Sequence, residues 1–354
     1  MTATSNNMEK SKNKLVVLAH FMDKASIKRA APCLGWLPMS VIEFILWHLP
    51  PQWSFLVASH FDIIGQAEGY IVGIALTPRQ MNSPKKEVVR KKILAATLYA
   101  QEKLGCEFLM LGGLTAPATS AGLFLTENNQ VKLNVTTGNA YTAMITLQSV
   151  YEAVRRAKKN LADLTIAVIG ASGTIGEAVA RVLENEAKDL ILVGRNLERL
   201  GNTEAKLTKT NHKISINVDD IAAADIIVTA TSHPEALINP KVLKSKAIVI
   251  DVAEPSDMPK DFEQQRPDVI NIDGGRVKWP NIEMGKVLGL PANVGFACIT
   301  EGMMMTLEND RQHHVGTIDL DYLRKTEEWG KKYGWSVADF TSFNKSVPDS
   351  KFEM

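Results

Sequence analysis

Cys298 stands in the stretch GLPANVGFACITEGMMMTLEND, residues 289–310, behind a loop of small residues and at the expected first turn of a helix. The chain has only three cysteines. A thiolate is a strong nucleophile and a tolerable leaving group, and a helix N-terminus favours the thiolate over the thiol. A cysteine placed this way can take an acyl group from one carrier and give it up again. A small cysteine packed at a tight helix entry fits the same stretch, since cysteine is among the most buried residue types. Cys33 follows a proline in an apolar region and Cys106 opens a buried strand, so both suit nucleophilic work less well. Three cysteines far apart match neither a disulfide framework nor a zinc site, and they suit a reducing cytosol.

A second chemistry is written in TIAVIGASGTIGEAVARVL, residues 165–183. Gly170 ends a strand, Gly173 follows in the turn, and Gly176 sits inside the start of a helix. A pyrophosphate approaches the backbone closely at such a turn, where side chains would obstruct it. Amides free at the helix start then hold the anion. The loop residues Ser172, Thr174 and Ile175 complete the candidate cradle. A second strand, DLILVG, follows at the spacing a dinucleotide site requires. It ends in Gly194, Arg195 and Asn196, with Arg199 one turn on, where an NAD site tends to carry an acidic residue. A planar cation suits a 2′-phosphate, so the sequence favours NADPH over NADH. Arg199 taken alone also reads as an ordinary surface arginine. Thr229, Thr231 and Ser232, at the end of a later strand, face the cofactor crevice or serve the turn.

These groups need elements to hold them. From residue 163 short apolar strands alternate with helices, which predicts an α/β fold with a doubly wound parallel sheet, a Rossmann-like NADP domain. Before it, KLVVLAH (14–20), EGYIVGIALT (68–77) and CEFLMLGG (106–113) read as strands of a second α/β substrate domain. Residues 83–105 read as a helix, with Ser83 as cap, Pro84 in its first turn and Gly105 closing it. Residues 139–160 read as another, with Met144, Leu147, Tyr151 and Val154 on one face. The predicted division is an acyl-binding domain over 1–158, an NADP-binding domain over 159–285, and C-terminal helices over 286–354 that pack back on the first. The first 14 residues and those beyond about 340 are polar and expected to be loose.

With 45% hydrophobic residues, 22% charged residues and a net charge of +1, the chain has the composition of a soluble globular protein. No basic stripe interleaves with aromatics, which argues against a nucleic-acid partner. The N-terminus has no apolar signal core, and the expected location is cytoplasmic. The segment GWLPMSVIEFILWHLPPQW, residues 35–53, is apolar but broken by prolines and Glu43. It reads as a core helix or lid, with peripheral membrane contact through Trp36, Trp47 and Trp53 as the alternative. Met303, Met304 and Met305 suit core packing or an adaptable acyl-chain surface.

Four stretches in this order together carry a resemblance: LGGLTAP (111–117), TTGNAYTAM (136–144), the glycine loop with LVGRNLERL, and FACITEGMMMTLE (296–308). The chain resembles the long-chain acyl-(acyl-carrier-protein) reductases best known from cyanobacteria, which relate more loosely to shikimate dehydrogenases in their cofactor domain. The resemblance implies that Cys298 accepts the acyl group and that NADPH reduces it to a fatty aldehyde. It implies acyl carrier protein or acyl-CoA as donor, and leaves room for an aldehyde-consuming partner. Tyr141, Thr137 and His313 are then the candidates for the acid that protonates departing groups. Tyr141 departs from the histidine common in cyanobacterial members, and the stretch before Lys14, residues 35–51 and those after Glu308 also depart from the pattern. Two rivals stay open: a shikimate-dehydrogenase-like ketone or alcohol oxidoreductase, and a non-catalytic NADP(H) sensor.

Overall fold

The computed structural model describes residues 12–21, 23–233, 235–253 and 255–353. Most of the N-terminal stretch expected to be loose lies outside the described residues. Among them no helix is long and apolar enough to cross a membrane.

Strands β1 (Asn13–His20), β2 (Phe55–Ile63), β3 (Ala67–Ile74), β4 (Phe108–Leu111) and β5 (Asn134–Thr136) form the first sheet, in the order β2-β3-β1-β4-β5. Its pairs are parallel except β2, which runs antiparallel to β3 at the edge. Helices α1 (Lys24–Ala30) and α2 (Met39–His48) lie between β1 and β2. The single turn α3 (Pro78–Met81) and the long α4 (Lys86–Lys103) lie between β3 and β4. Two further turns, α5 (Thr115–Ala118) and α6 (Leu123–Thr126), lead to β5 and to α7 (Asn139–Arg156). Side chains alternate across a strand. Val16 and Leu18 therefore meet Val89, Ile93 and Ala96 of α4, while Leu15 and Val17 meet the cluster around α7. Lys92 of α4 is fully buried and donates to the Leu46 and Leu49 carbonyls at 2.7 and 3.0 Å, which closes the C-terminus of α2. Ser83 does not cap α4: its hydroxyl accepts from the Lys85 amide, and the helix starts at Lys86.

The second sheet is wholly parallel: β6 (Thr165–Ile169), β7 (Asp189–Val193), β8 (His212–Ser215), β9 (Ile226–Thr229), β10 (Ile248–Asp251) and β11 (Ile270–Asp273), in the order β11-β10-β9-β6-β7-β8. The chain winds one way from β6 to β8 and the other from β9 to β11, so the doubly wound reading holds. Such a sheet opens a crevice outside the carboxyl ends of β6 and β9, where the winding reverses. Helices α8 (Thr174–Leu183), α9 (Leu197–Glu204) and the turn α10 (Phe262–Gln265) complete it. Then come β12 (Arg276–Lys278), β13 (Val294–Phe296), α11 (Ala297–Leu307), α12 (Leu320–Tyr333) and β14 (Ser336–Val337), with β12, β13 and β14 in a small antiparallel sheet.

Helix α7 is the shared centre. It packs on α8 of the second layer and on α11 and α12, so one apolar cluster runs from Leu15 and Met110 to Ile166 and Val168. Its buried face is wider than one stripe, and Tyr151, expected inside, is 37% exposed with its hydroxyl on Glu186. Met303, Met304 and Met305 of α11 are fully buried in this cluster, which makes them core.

The C-terminal residues are docked, contrary to expectation. Strands β15 (Thr341–Ser342) and β16 (Lys345–Ser346) form a hairpin whose turn binds Asp273 at the end of β11. That carboxylate accepts from the Thr341 hydroxyl at 2.7 Å and from the Phe343 and Asn344 amides at 2.8 and 2.9 Å. Phe340 and Phe352 are buried, with the Arg156 guanidinium 4.5 Å from the centre of the Phe340 ring. Polarity misled the sequence reading because the anchors are two aromatics and one distant carboxylate. Asp273→Ala is expected to cost about 1–3 kcal/mol and to make residues 336–353 sensitive to protease before the rest of the chain, as mapped by timed proteolysis and mass spectrometry.

Candidate active site and cofactor crevice

Cys298 is the second residue of α11, and its side chain is half-buried. The residue before the helix, Phe296, is extended and supplies no side-chain cap. Against Cys298 packs Gly138, the N-cap of α7, at φ 72°. A Cβ on Gly138 would fall 2.4 Å from both Cα and Cβ of Cys298. Only glycine meets both demands, the left-handed backbone and the close approach. Two helix N-termini, those of α7 and α11, thus meet at the cysteine.

The remaining candidates are spread around this junction. Thr137 precedes Gly138, is buried, and donates its amide to the His314 carbonyl at 3.2 Å. His313 lies at the surface, where its Nδ1 accepts from the Val135 amide at 3.2 Å; partial burial lowers its pKa. Tyr141 lies in the core with its hydroxyl donating to the Trp335 carbonyl at 3.3 Å, and burial raises its pKa. The phenol points to the α12 end rather than to the thiol. The structure therefore brings Thr137 next to the Gly138–Cys298 contact, and turns the Tyr141 and His313 side chains to other partners.

Sequence reading missed Glu301. It is one turn beyond Cys298 and only 1% exposed. Its carboxylate accepts from the Tyr141 amide at 2.7 Å, from the Thr136 hydroxyl, and from the Tyr322 hydroxyl at 3.4 Å. Burial outweighs these bonds and pushes its pKa up to about 7. The available signal was one acid in the otherwise uncharged run from Phe296 to Leu307.

The second layer holds the glycine loop. Gly170, at φ 83°, and Gly176 are packed so closely that a Cβ would lie 2.5 Å from the Ala230 carbonyl oxygen and 2.4 Å from that of Gly170, respectively. Ser172, Gly173, Thr174 and Ile175 form the turn and first helical residues of α8. The exposed Arg195 follows β7. Asn196 caps α9 by accepting the Arg199 amide at 2.9 Å, and the Arg199 guanidinium reaches back to the Ser172 carbonyl at 3.3 Å. A cation thus lies across the loop where a 2′-phosphate would arrive. Thr229 and Thr231 lie at the end of β9, and each spends its hydroxyl on an aspartate. The Thr229 hydroxyl, fully buried, donates to Asp251 at 2.6 Å, and the Thr231 hydroxyl donates to Asp257 at 2.9 Å. Burial raises both acids, Asp257 to about 6. These two carboxyls were also missed, because nothing in the sequence pairs them with threonines more than 20 residues away.

A sequence model of the shikimate/quinate 5-dehydrogenase family matches residues 152–274, the span of the second sheet. The long-chain acyl-[acyl-carrier-protein] reductase of Synechococcus elongatus is 30% identical over 255 residues, which are 68% of this chain and 73% of that protein. The chain belongs to the long-chain acyl-[acyl-carrier-protein] reductase family. Aminotransferase PigE of a Serratia species is 23% identical over 292 residues, 79% of this chain but 33% of that much longer protein. Among solved structures, quinate dehydrogenase from Corynebacterium glutamicum is similar at 14% identity and a TM-score of 0.38, over 90% of this chain and 99% of that one. The protein is an NAD(P)-dependent oxidoreductase with a Rossmann-like domain, and its cofactor is NADPH. The glycine cradle fits that group: residues 170–176 would hold the pyrophosphate, with Arg195 and Arg199 at the ribose end.

Gly138→Ala tests the junction. The added methyl meets backbone atoms of Cys298 at an unfavourable φ, which is expected to cost about 2–4 kcal/mol. Calorimetric melting should show the loss, and the modification rate of Cys298 should change in the folded fraction.

Proposed function

We propose that the protein reduces a long-chain fatty acyl thioester, carried by acyl carrier protein or coenzyme A, to the fatty aldehyde through an acyl-cysteine at Cys298. The observation that carries the reading is the meeting of two helix N-termini at a half-buried cysteine, in a chain that also holds the NADPH cradle. Amides at the start of α11 favour negative charge, on the thiolate before attack and on the carbonyl oxygen after it. Cys298 Sγ attacks the thioester carbonyl carbon, the carrier's sulfur leaves, and that sulfur takes up a proton. Residues 170–176 would hold NADPH, which would supply hydride to the acyl carbon; Cys298 Sγ then leaves as the thiolate and the aldehyde is released. Thr137, next to Gly138 in the chain, is the candidate donor to the carbonyl oxygen. Asn139, the first residue of α7, lies on the same turn.

The expected result is a mass gain of one acyl group on mixing with long-chain acyl-CoA or acyl carrier protein without NADPH. The gain is absent in Cys298→Ala and is discharged as aldehyde when NADPH is added. No adduct from either donor would sink the covalent route. The second reading, a ketone or alcohol oxidoreductase, draws on the shikimate/quinate match over 152–274, which covers the cofactor half that both readings share. It gives NADP-linked turnover that survives Cys298→Ala.

Apolar acyl substrates and aldehydes partition into lipid, and α2 gives the chain a surface for it. Ile42 and Leu46 face inward, whereas Trp36, Phe44 and Trp53 are 87%, 65% and 70% exposed. Lys24, Lys28 and Arg29 of α1 border them in sequence and are exposed. We propose peripheral contact with a membrane surface there, and product transfer to an aldehyde-consuming enzyme. Co-sedimentation with anionic vesicles should fall about 10-fold or more when Trp36, Phe44 and Trp53 are all replaced by alanine. Equal sedimentation of the two proteins would overturn the contact.

A further inference from the structure

We propose that Glu301 is a positioning residue for Cys298: it locks the helix that bears the thiol to the uncapped start of α7 and so holds the Thr136–Asn139 turn against the cysteine. The inference rests on Cys298 as the nucleophile of the reading above.

The first amides of a helix have no partner within it and need an outside acceptor. The N-cap of α7 is glycine, which has no side chain to offer, and no side-chain cap bond is made there. The acceptor comes from another helix. Glu301 Oε2 takes the Tyr141 amide at 2.7 Å. The other oxygen takes the Thr136 hydroxyl, and that hydroxyl oxygen in turn accepts the Gly138 amide at 3.0 Å. One carboxylate therefore holds both sides of the turn, Thr136 before Gly138 and Tyr141 after it. Three residues back along the same helix, Cys298 lies against Gly138 itself. Tyr322 of α12 adds a third anchor at 3.4 Å, and the His314 ring stacks on that tyrosine at 3.4 Å.

A buried carboxylate is costly unless its lone pairs are filled, and breaking such a cluster leaves several groups unpaired together. A cap supplied from within α7 would fix the turn but leave α11 free to shift against it. A cap supplied from α11 makes the turn and the thiol one unit. Displacements of about 1 Å in a nucleophile cost up to about 100-fold in rate, so the lock acts on chemistry as well as on stability.

The test uses the full chain in a Cys33→Ser background, so that the exposed Cys33 thiol does not react. Cys298 acylation by long-chain acyl-CoA and alkylation by iodoacetamide are both followed by intact mass. Glu301→Ala is expected to slow acylation about 10-fold or more while NADPH binding, read by fluorescence, is unchanged. Glu301→Gln keeps an acceptor for the Tyr141 amide and an amide group for the hydroxyls, and should restore the rate to within about 3-fold of the parent. Thr136→Val removes the link to Gly138 but leaves Glu301 in place, and should slow acylation too; it decides the matter if Glu301→Ala does not fold. Parent-like acylation in folded Glu301→Ala, or in Thr136→Val, overturns the proposal. A Gln variant as slow as the Ala variant also overturns it, because the charge would then matter rather than the position. If the parent itself forms no acyl adduct, the reductase reading fails, and the iodoacetamide rates still report whether Glu301 sets the exposure of the thiol.

Discussion

A helix that begins without a cap of its own organises the centre of this protein. The residue that caps α7, Gly138, is a glycine because no side chain fits between its backbone and Cys298. Glycine satisfies the geometry but cannot bond the first amides, and amides buried without acceptors are not tolerated. The acceptor is Glu301, and a buried acid needs donors of its own, which Thr136 and Tyr322 supply. A close approach at one glycine thus dictates an acid on α11, a threonine at the end of β5 and a tyrosine on α12. The high pKa of Glu301 is the residual cost of this solution, since burial outweighs the bonds it accepts.

What the sequence discloses follows from the range of the interactions involved. Strands β6 to β10 and the glycine loop are legible because the physics is local: apolar runs of strand length, a turn that excludes side chains, and a helix start. Cys298 is legible because its helix entry is local too. Glu301 is not, since its partners lie about 160 residues upstream at Thr136 and Tyr141. Thr229 and Thr231 read as crevice or turn residues by their place at the end of a strand, and their hydroxyls serve Asp251 and Asp257. Polar residues near a strand end are ambiguous until their buried partners are known. The C-terminal hairpin was misread for the same reason, because Asp273 supplies in space the acceptors that polarity in sequence assigned to water.

The apolar segment over 35–53 shows the same limit in another form. A period of apolar residues tells that α2 has an inner face, and Ile42 and Leu46 occupy it. It does not tell how α2 is held. Lys92 does that from α4, spending its ammonium on two carbonyls at the end of the helix. A cation at a helix C-terminus is favourably placed in the dipole's field, but burial lowers its pKa to about 8. With the inner face and the end of α2 both fixed, its outward aromatic residue Phe44 is left with no role in the core.

Two reactive centres of different origin must be held in register for the chemistry proposed, and α7 is the element able to do it. Its first turn sets the position of the thiol through Gly138 and Glu301. Its body packs along α8, the helix that opens with the dinucleotide loop. Close-packed interiors transmit displacement because they have few voids to absorb it. A shift of α7 along its axis would therefore move both the turn beside Cys298 and the helix that carries the cofactor cradle. The first sheet reaches the same helix through Leu15, Val17 and Met110, so that layer shares the reference as well. Nearly every side chain from Ala140 to Val150 is accordingly buried, because this helix has a layer to position on each side.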